Sequence, residues 1–198
     1  MIADFFRTFI MIFFLLTPFA AVSGFLSLTT DYTSRQKLQV AMRCTAAMLA
    51  IVAVVFFFGK YIFDLFGITL DAFRVGGGTL LMLAAINLVR GNKAYPVSED
   101  EKDIAVVPLA IPLIVGPATI GALFVLGAEI PEVNKRLVAL GAALLAVAAV
   151  GAMLTLMVFI EQKIKYKVLV VLSKITGLIL ASLASQIIFL GIKGLLGL

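Results

Sequence analysis

Six stretches of this 198-residue chain hold no charged side chain, and their lengths limit its fold more than any other feature of the sequence. They are residues 8–30, 44–59, 75–89, 104–128, 137–160 and 175–192, of 23, 16, 15, 25, 24 and 18 residues. A hydrocarbon core of about 30 Å takes roughly 20 apolar residues of helix, so the long stretches span it alone and the short ones need a flanking turn. Arg43, Arg74 and Lys174 border the shorter stretches, where long side chains reach the interface. With 63% hydrophobic and 14% charged residues, the chain has too little charge to coat a soluble core. These counts predict an all-α membrane protein with six transmembrane helices.

The net charge of +5 does not indicate nucleic acid, because the cations sit in short connections rather than on one face. They report topology instead. With six spans, Arg7, Lys60, Arg74, Lys135, Arg136 and Lys193 share one side with both termini. Arg35, Lys37, Arg43, Arg90, Lys93, Lys102, Lys163, Lys165, Lys167 and Lys174 take the other. The positive-inside rule puts the second, larger set in the cytoplasm and both termini outside a multi-pass protein of the cytoplasmic membrane. The start of the chain imitates a signal peptide, but Asp4 is foreign to a basic leader, and the segment has a counterpart later in the chain, so cleavage is not expected. The single Cys44 offers neither a disulfide nor a metal site.

Two local matches suggest an internal repeat, with one half over about 1–92 and the other over about 103–198 of a single transmembrane domain. Pro18 is followed five residues later by Ser23-Gly24, and Pro112 five residues later by Pro117, an offset of 94 between the two prolines. Arg74-Val75-Gly76-Gly77 resembles Lys174-Ile175-Thr176-Gly177 at an offset of 100, a register that also pairs Leu80 with Leu180, Leu83 with Leu183 and Ala84 with Ala184. A unit of three helices crosses an odd number of times, so the second copy is inverted, the construction of many secondary transporters. Proline lacks an amide hydrogen and glycine stiffens nothing, which predicts that the first and fourth helices break at Pro18–Gly24 and Pro112–Thr119. Unpaired backbone at membrane depth must line a cavity.

The string Val107-Pro108-Leu109-Ala110-Ile111-Pro112-Leu113-Ile114-Val115-Gly116-Pro117-Ala118-Thr119-Ile120 resembles the signature of the MarC family of bacterial and archaeal membrane proteins. Phe66-Gly67-Ile68, Gly76-Gly77-Gly78 and Ile175-Thr176-Gly177-Leu178-Ile179-Leu180-Ala181 extend the likeness over essentially the whole chain. The resemblance implies six helices in two inverted halves and, by likeness to members with an assigned role, a transporter of small neutral amino acids such as glycine or alanine. The family usually carries an acidic or amide residue before the first-span proline and a second proline five residues later. Here those positions hold Thr17 and Ser23.

A zwitterion buried at such breaks finds amide hydrogens at helix N-termini for its carboxylate and unwound carbonyls for its ammonium. The expected substrate-binding residues are therefore Thr17, Pro18, Ser23, Gly24, Pro112, Gly116, Pro117 and Thr119, with Gln186 as a polar side chain in the last span. The chain has no His, and none of the six stretches holds Asp or Glu, so no intramembrane hydrolase, metal site or buried carboxylate relay can be drawn. No Gly-rich nucleotide loop is present either. An enzyme is thus not expected, nor any cofactor. Sodium held by backbone oxygens, or uncoupled exchange, is favoured over a proton carried by a buried acid, with Asp31 and Asp103 at the cytoplasmic ends of the broken spans as the exceptions. The expected partners are a small neutral amino acid and the lipid bilayer, and a homo-oligomer is compatible with both. The rival reading is a membrane scaffold or partner subunit that transports nothing.

Overall fold

Long uncharged apolar runs hydrogen-bond their backbone most completely as helices, and helices are the only regular elements among the described residues of the computed structural model, which are 2–90, 104–130, 132–160 and 166–197. Lys93, Lys102, Asp103, Lys163 and Lys165, used above for topology and coupling, lie outside them. In chain order the elements are α1 (Ile2–Leu15), α2 (Pro18–Leu28), α3 (Ser34–Phe66), α4 (Leu70–Arg90), a π-helix (Ala105–Ile114), α5 (Pro117–Glu129), α6 (Val133–Ile160) and α7 (Tyr166–Leu195). Five helical stretches are long and apolar enough to cross a membrane: Ile2–Leu28 (α1 with α2), Ser34–Phe58, Leu70–Arg90, Val133–Ile160 and Lys167–Leu195. The remaining uncharged stretch, 104–128, is divided between the π-helix and α5, and neither piece reaches span length by itself.

The π-helix follows from its prolines. In an α-helix the Ile104 carbonyl would accept from residue 108, but Pro108 has no N–H. The Leu109 amide takes that carbonyl instead, at 3.2 Å, and the Val115 amide reaches the Ala110 carbonyl at 2.9 Å, both five residues apart. Pro112, four residues after Pro108, repeats the interruption, so the wide turn persists for ten residues where such turns are ordinarily single.

Both expected breaks exist; the second lies within the predicted Pro112–Thr119, while the first lies ahead of the predicted Pro18–Gly24. The first falls at Leu16–Thr17, before Pro18, and α2 then runs unbroken through Ser23 and Gly24. The second falls at Val115–Gly116, before Pro117. The physical reason is the same in both: a proline in the first turn of a helix gives up an amide that has no partner there anyway, so Pro18 and Pro117 start helices rather than interrupt them. Pro18 thus plays the same local part as Pro117, 99 residues on, rather than that of Pro112, which lies inside the π-helix. The first helical bonds agree, Ala21 N–H to Thr17 O at 2.8 Å and Ile120 N–H to Gly116 O at 3.0 Å.

At the offset of 100 between α4 and α7, buried positions do not pair. Leu80 is half exposed while Leu180 is fully buried, because a slip of one residue turns a helix face by about 100°. An offset of 99 pairs buried positions throughout: Gly78 with Gly177, Leu81 with Leu180, Ala85 with Ala184. The α4–α7 contact is reciprocal in this register. A Cβ on Gly78 would lie 3.2 Å from the Ala184 carbonyl and 2.7 Å from Ile188, and one on Gly177 3.0 Å from the Ala85 carbonyl and 2.9 Å from Val89. Glycine at these positions lets two backbones meet, as close helix packing in lipid requires.

Small residues admit the other close contacts. The α6 face with Ala142, Ala143, Ala146, Val150 and Leu154 is buried, and Gly151 takes Thr45 of α3 against its backbone. Gly67, at φ 63°, closes α3 in the left-handed conformation that glycine adopts without strain. Outward, Leu83, Leu156, Phe159, Leu178 and Phe189 are exposed, an apolar surface suited to lipid.

Candidate functional site

The two breaks touch. Helix α1 ends at Leu15, and the Thr119 hydroxyl in the first turn of α5 donates to the Leu15 carbonyl at 3.0 Å, a buried bond across 104 residues of sequence. This is the hydroxyl expected to meet substrate, and it is engaged in joining the half-helices. Both N-caps, Thr17 and Gly116, leave their helix starts without a side-chain cap. Two helix N-termini, whose first-turn amides have no partner within their own helix and carry partial positive charge, therefore begin at these breaks.

Their backbones differ. Thr17 has φ 47° and ψ 57°, and it is the one non-glycine residue at positive φ among the described residues. A left-handed conformation costs an L-residue about 1–2 kcal/mol, and β-branching makes threonine a poor occupant. Gly116 is extended at φ −80°, ψ 172°, which any residue adopts. On α2, Pro18 is buried and Ser23 half-buried. A Cβ on Gly24 would fall 2.4 Å from Leu113 of the π-helix, so Gly24 serves close packing rather than an opened turn. Pro112 lies within the π-helix and Pro117 begins α5.

A cavity of about 670 Å³ lies between α1, α4, α5 and α7. Its floor is apolar, with Phe14, Leu81, Ile179 and Leu183, and Phe14 immediately precedes the Leu15 carbonyl that Thr119 holds. Gly77 and Gly121 form part of the wall, where α4 and α5 come close enough that a Cβ on Gly121 would lie 3.6 Å from the Gly77 Cα. Its other end is charged, with Asp4 and Arg7 from α1 and Arg74 from α4. Arg74 Nη1 donates to Asp71 Oδ1 one turn earlier, and both side chains are largely covered.

Of the residues expected at the site, Gln186 lines this cavity, whereas Thr17, Pro18, Ser23, Gly24, Gly116 and Thr119 are not among its described walls. Ser182 and Ser185, also on α7, donate to the Leu178 and Ala181 carbonyls of their own helix. Sequence reasoning missed Thr8, Phe14, Phe73 and Arg74. The one usable signal was Arg74 itself, a cation at the edge of an uncharged stretch and three residues after an aspartate.

No group of three or more His, Cys, Asp or Glu suited to a metal occurs among the described residues. A model of MarC family integral membrane proteins matches residues 2–196. The chain is 34% identical over 199 residues to the UPF0056 membrane protein MJ1677 of Methanocaldococcus jannaschii, covering 97% of each chain. It is 32% identical over 202 residues to the UPF0056 membrane protein YvbG of Bacillus subtilis, covering 96% of this chain and 94% of the relative. It is 27% identical over 199 residues to the UPF0056 membrane protein YhcE of Escherichia coli, covering 96% and 93%. No solved structure matches it.

Proposed function

Starting from the fact that the chain belongs to the MarC family of integral membrane proteins, we propose that it is a secondary transporter of small neutral amino acids across the cytoplasmic membrane. It crosses six times, in two inverted three-helix halves whose first helices, α1–α2 and the π-helix with α5, are broken, and it works by alternating access. The observation that carries the reading is the pair of proline-started, uncapped helix N-termini at positions 99 apart, tied together by Thr119 and Leu15 beside a cavity. Broken helices at corresponding places of two halves are where transporters bind solutes, with N-termini turned to anionic groups.

The cavity between α1, α5, α4 and α7 has its charged end at Asp4 and Arg7, near the N-terminus. The positive-inside count assigns that end to the exterior.

The test is uptake of labelled glycine, alanine and serine into proteoliposomes under imposed gradients. Accumulation driven by inward sodium is expected, since backbone oxygens at the breaks are hard ligands and none of the six uncharged stretches holds Asp or Glu. Failure to move any of the three solutes under either a sodium or a proton gradient would refute the reading.

A further inference from the structure

We propose that Arg136 is the headgroup contact of a bound phospholipid: its guanidinium, lying against Phe56 and Phe57 where α3 and α6 meet, takes the phosphate of a lipid in the adjoining leaflet. The claim concerns the outer surface of the helices and holds whether or not the chain moves a solute.

Arg136 stands in the first turn of α6, directly before the uncharged stretch 137–160, at the depth where headgroups meet hydrocarbon. A cation at such a place ordinarily stretches its head into water. This one is folded back onto rings. Its Cζ lies 5.8 Å from the centroids of both Phe56 and Phe57, within range of a cation–π contact with each. Its Nε is buried without a hydrogen-bond partner, the one such side-chain nitrogen or oxygen among the described residues. Glu132, one turn earlier, does not relieve it: the Glu132 carbonyl accepts from the Arg136 backbone amide at 2.9 Å, while its carboxylate accepts from Lys135 Nζ at 2.9 Å. An orphaned buried donor is rare in folded chains because it forfeits a hydrogen bond that water would have supplied. Here the guanidinium is positioned by aromatic rings and awaits an oxyanion at its terminal nitrogens. A planar fork of donors suits phosphate oxygens better than an ammonium does.

The rings are firmly seated. Phe56 is fully buried, and its backbone is drawn so close to α5 that Gly127 has no room for a Cβ. Phe57 meets the Phe56 ring edge to face at 5.9 Å and is itself exposed. The surroundings select what the anion is attached to. Phe57, Phe58 and Tyr61 on α3, and Val133 and Leu137 on either side of Arg136 on α6, are all exposed. An inorganic anion would cover none of this apolar surface, whereas a diacyl phospholipid brings phosphate and hydrocarbon in one molecule. Cationic sites between helices at the membrane surface hold lipid headgroups in this way.

Native mass spectrometry of the detergent-purified chain, titrated with phosphatidylglycerol, with diacylglycerol of the same acyl chains and with inorganic phosphate, tests the assignment. The native chain should hold phosphatidylglycerol at least about tenfold more tightly than diacylglycerol, the scale of one charge-assisted contact. Arg136→Gln should lose that preference, and Arg136→Lys, which keeps the charge but not the fork, should keep part of it. Lys135→Gln, which removes the neighbouring cation already paired with Glu132, should leave it unchanged. Phe57→Leu alters no charge and should weaken phosphatidylglycerol binding, so the proposal stays falsifiable if Arg136→Gln fails to fold. Equal affinity of the native chain for the two lipids overturns it, as does full phosphatidylglycerol binding in Phe57→Leu. A loss in Lys135→Gln as large as in Arg136→Gln would reduce the effect to general attraction of anions, and displacement of the lipid by an equal concentration of inorganic phosphate would make this a free-anion site; either result also overturns it.

Discussion

Three glycines on two helices give opposite answers to one substitution. Gly76, Gly78 and Gly177 are all helical, so replacing any of them by Ala gains about 0.5–1 kcal/mol from reduced backbone freedom. At Gly76 nothing lies within 4 Å of the added carbon, and that gain stands alone. At Gly78 the methyl would meet the Ala184 carbonyl and the Ile188 amide nitrogen at 3.2 Å, and at Gly177 the Ala85 carbonyl at 3.0 Å. The Ile188 and Val89 side chains nearby can turn aside, but a backbone carbonyl moves only if α4 and α7 separate. Overpacking of this kind costs about 1–3 kcal/mol, which outweighs the propensity gain. Reversible unfolding of the detergent-solubilised protein by increasing SDS should therefore find Gly76→Ala more stable than the native chain. Gly78→Ala and Gly177→Ala should both be less stable, by about 0.5–2 kcal/mol on the same arithmetic. The double substitution should cost less than the sum of the two, because one separation of the helices accommodates both methyls. The reasoning fails if Gly78→Ala proves as stable as Gly76→Ala.

Further measurements bear on the breaks and on topology. Thr119→Val keeps the shape but removes the donor, leaving the buried Leu15 carbonyl short of a partner at a cost of about 1–3 kcal/mol; unfolding of this variant at the native SDS midpoint would mean the bond contributes nothing. Gly116→Val is expected to insert and fold yet lose uptake, and native uptake rates would show that the break does not change conformation during transport. A reporter fused after Leu198 should be active outside the cytoplasm, and cytoplasmic activity would reverse the orientation assigned to the cavity.

Much of the architecture could be read from where charge is missing. The uncharged stretches coincide with the helical segments because charges are costly in hydrocarbon, a constraint strong enough to survive any detail of packing. That the chain breaks near Pro18 and Pro117 was equally legible. The side on which it breaks was not, since proline has two opposite effects, interrupting a helix from inside and starting one at its first turn, and only the hydrogen bonds of Thr17 and Gly116 separate them. The register of α4 with α7 was open to a slip of one residue because runs such as Gly76-Gly77-Gly78 align equally well at neighbouring offsets, whereas burial distinguishes Leu80 from Leu81 at once. The cavity was least visible. Its walls are assembled from four helices far apart in sequence, and Arg74 in isolation is indistinguishable from a cation reaching for the interface.

The pair Thr17 and Gly116 connects that geometry to the proposed cycle. They lie 99 residues apart, each the cap of a proline-started helix, yet one is left-handed and the other extended. If the two halves exchange conformations as the cavity changes sides, Thr17 becomes extended and Gly116 left-handed. Threonine prefers the first arrangement and glycine tolerates the second without penalty, so the exchange relieves about 1–2 kcal/mol held at Thr17 here. The acidic or amide residue usual in the resembling family before the first-span proline fits the same logic, because Asn and Asp enter the left-handed region more readily than threonine does. A chain with threonine at this position should therefore favour the opposite-facing state more than one with asparagine, and the residue that sets this balance is one whose side chain does not line the cavity.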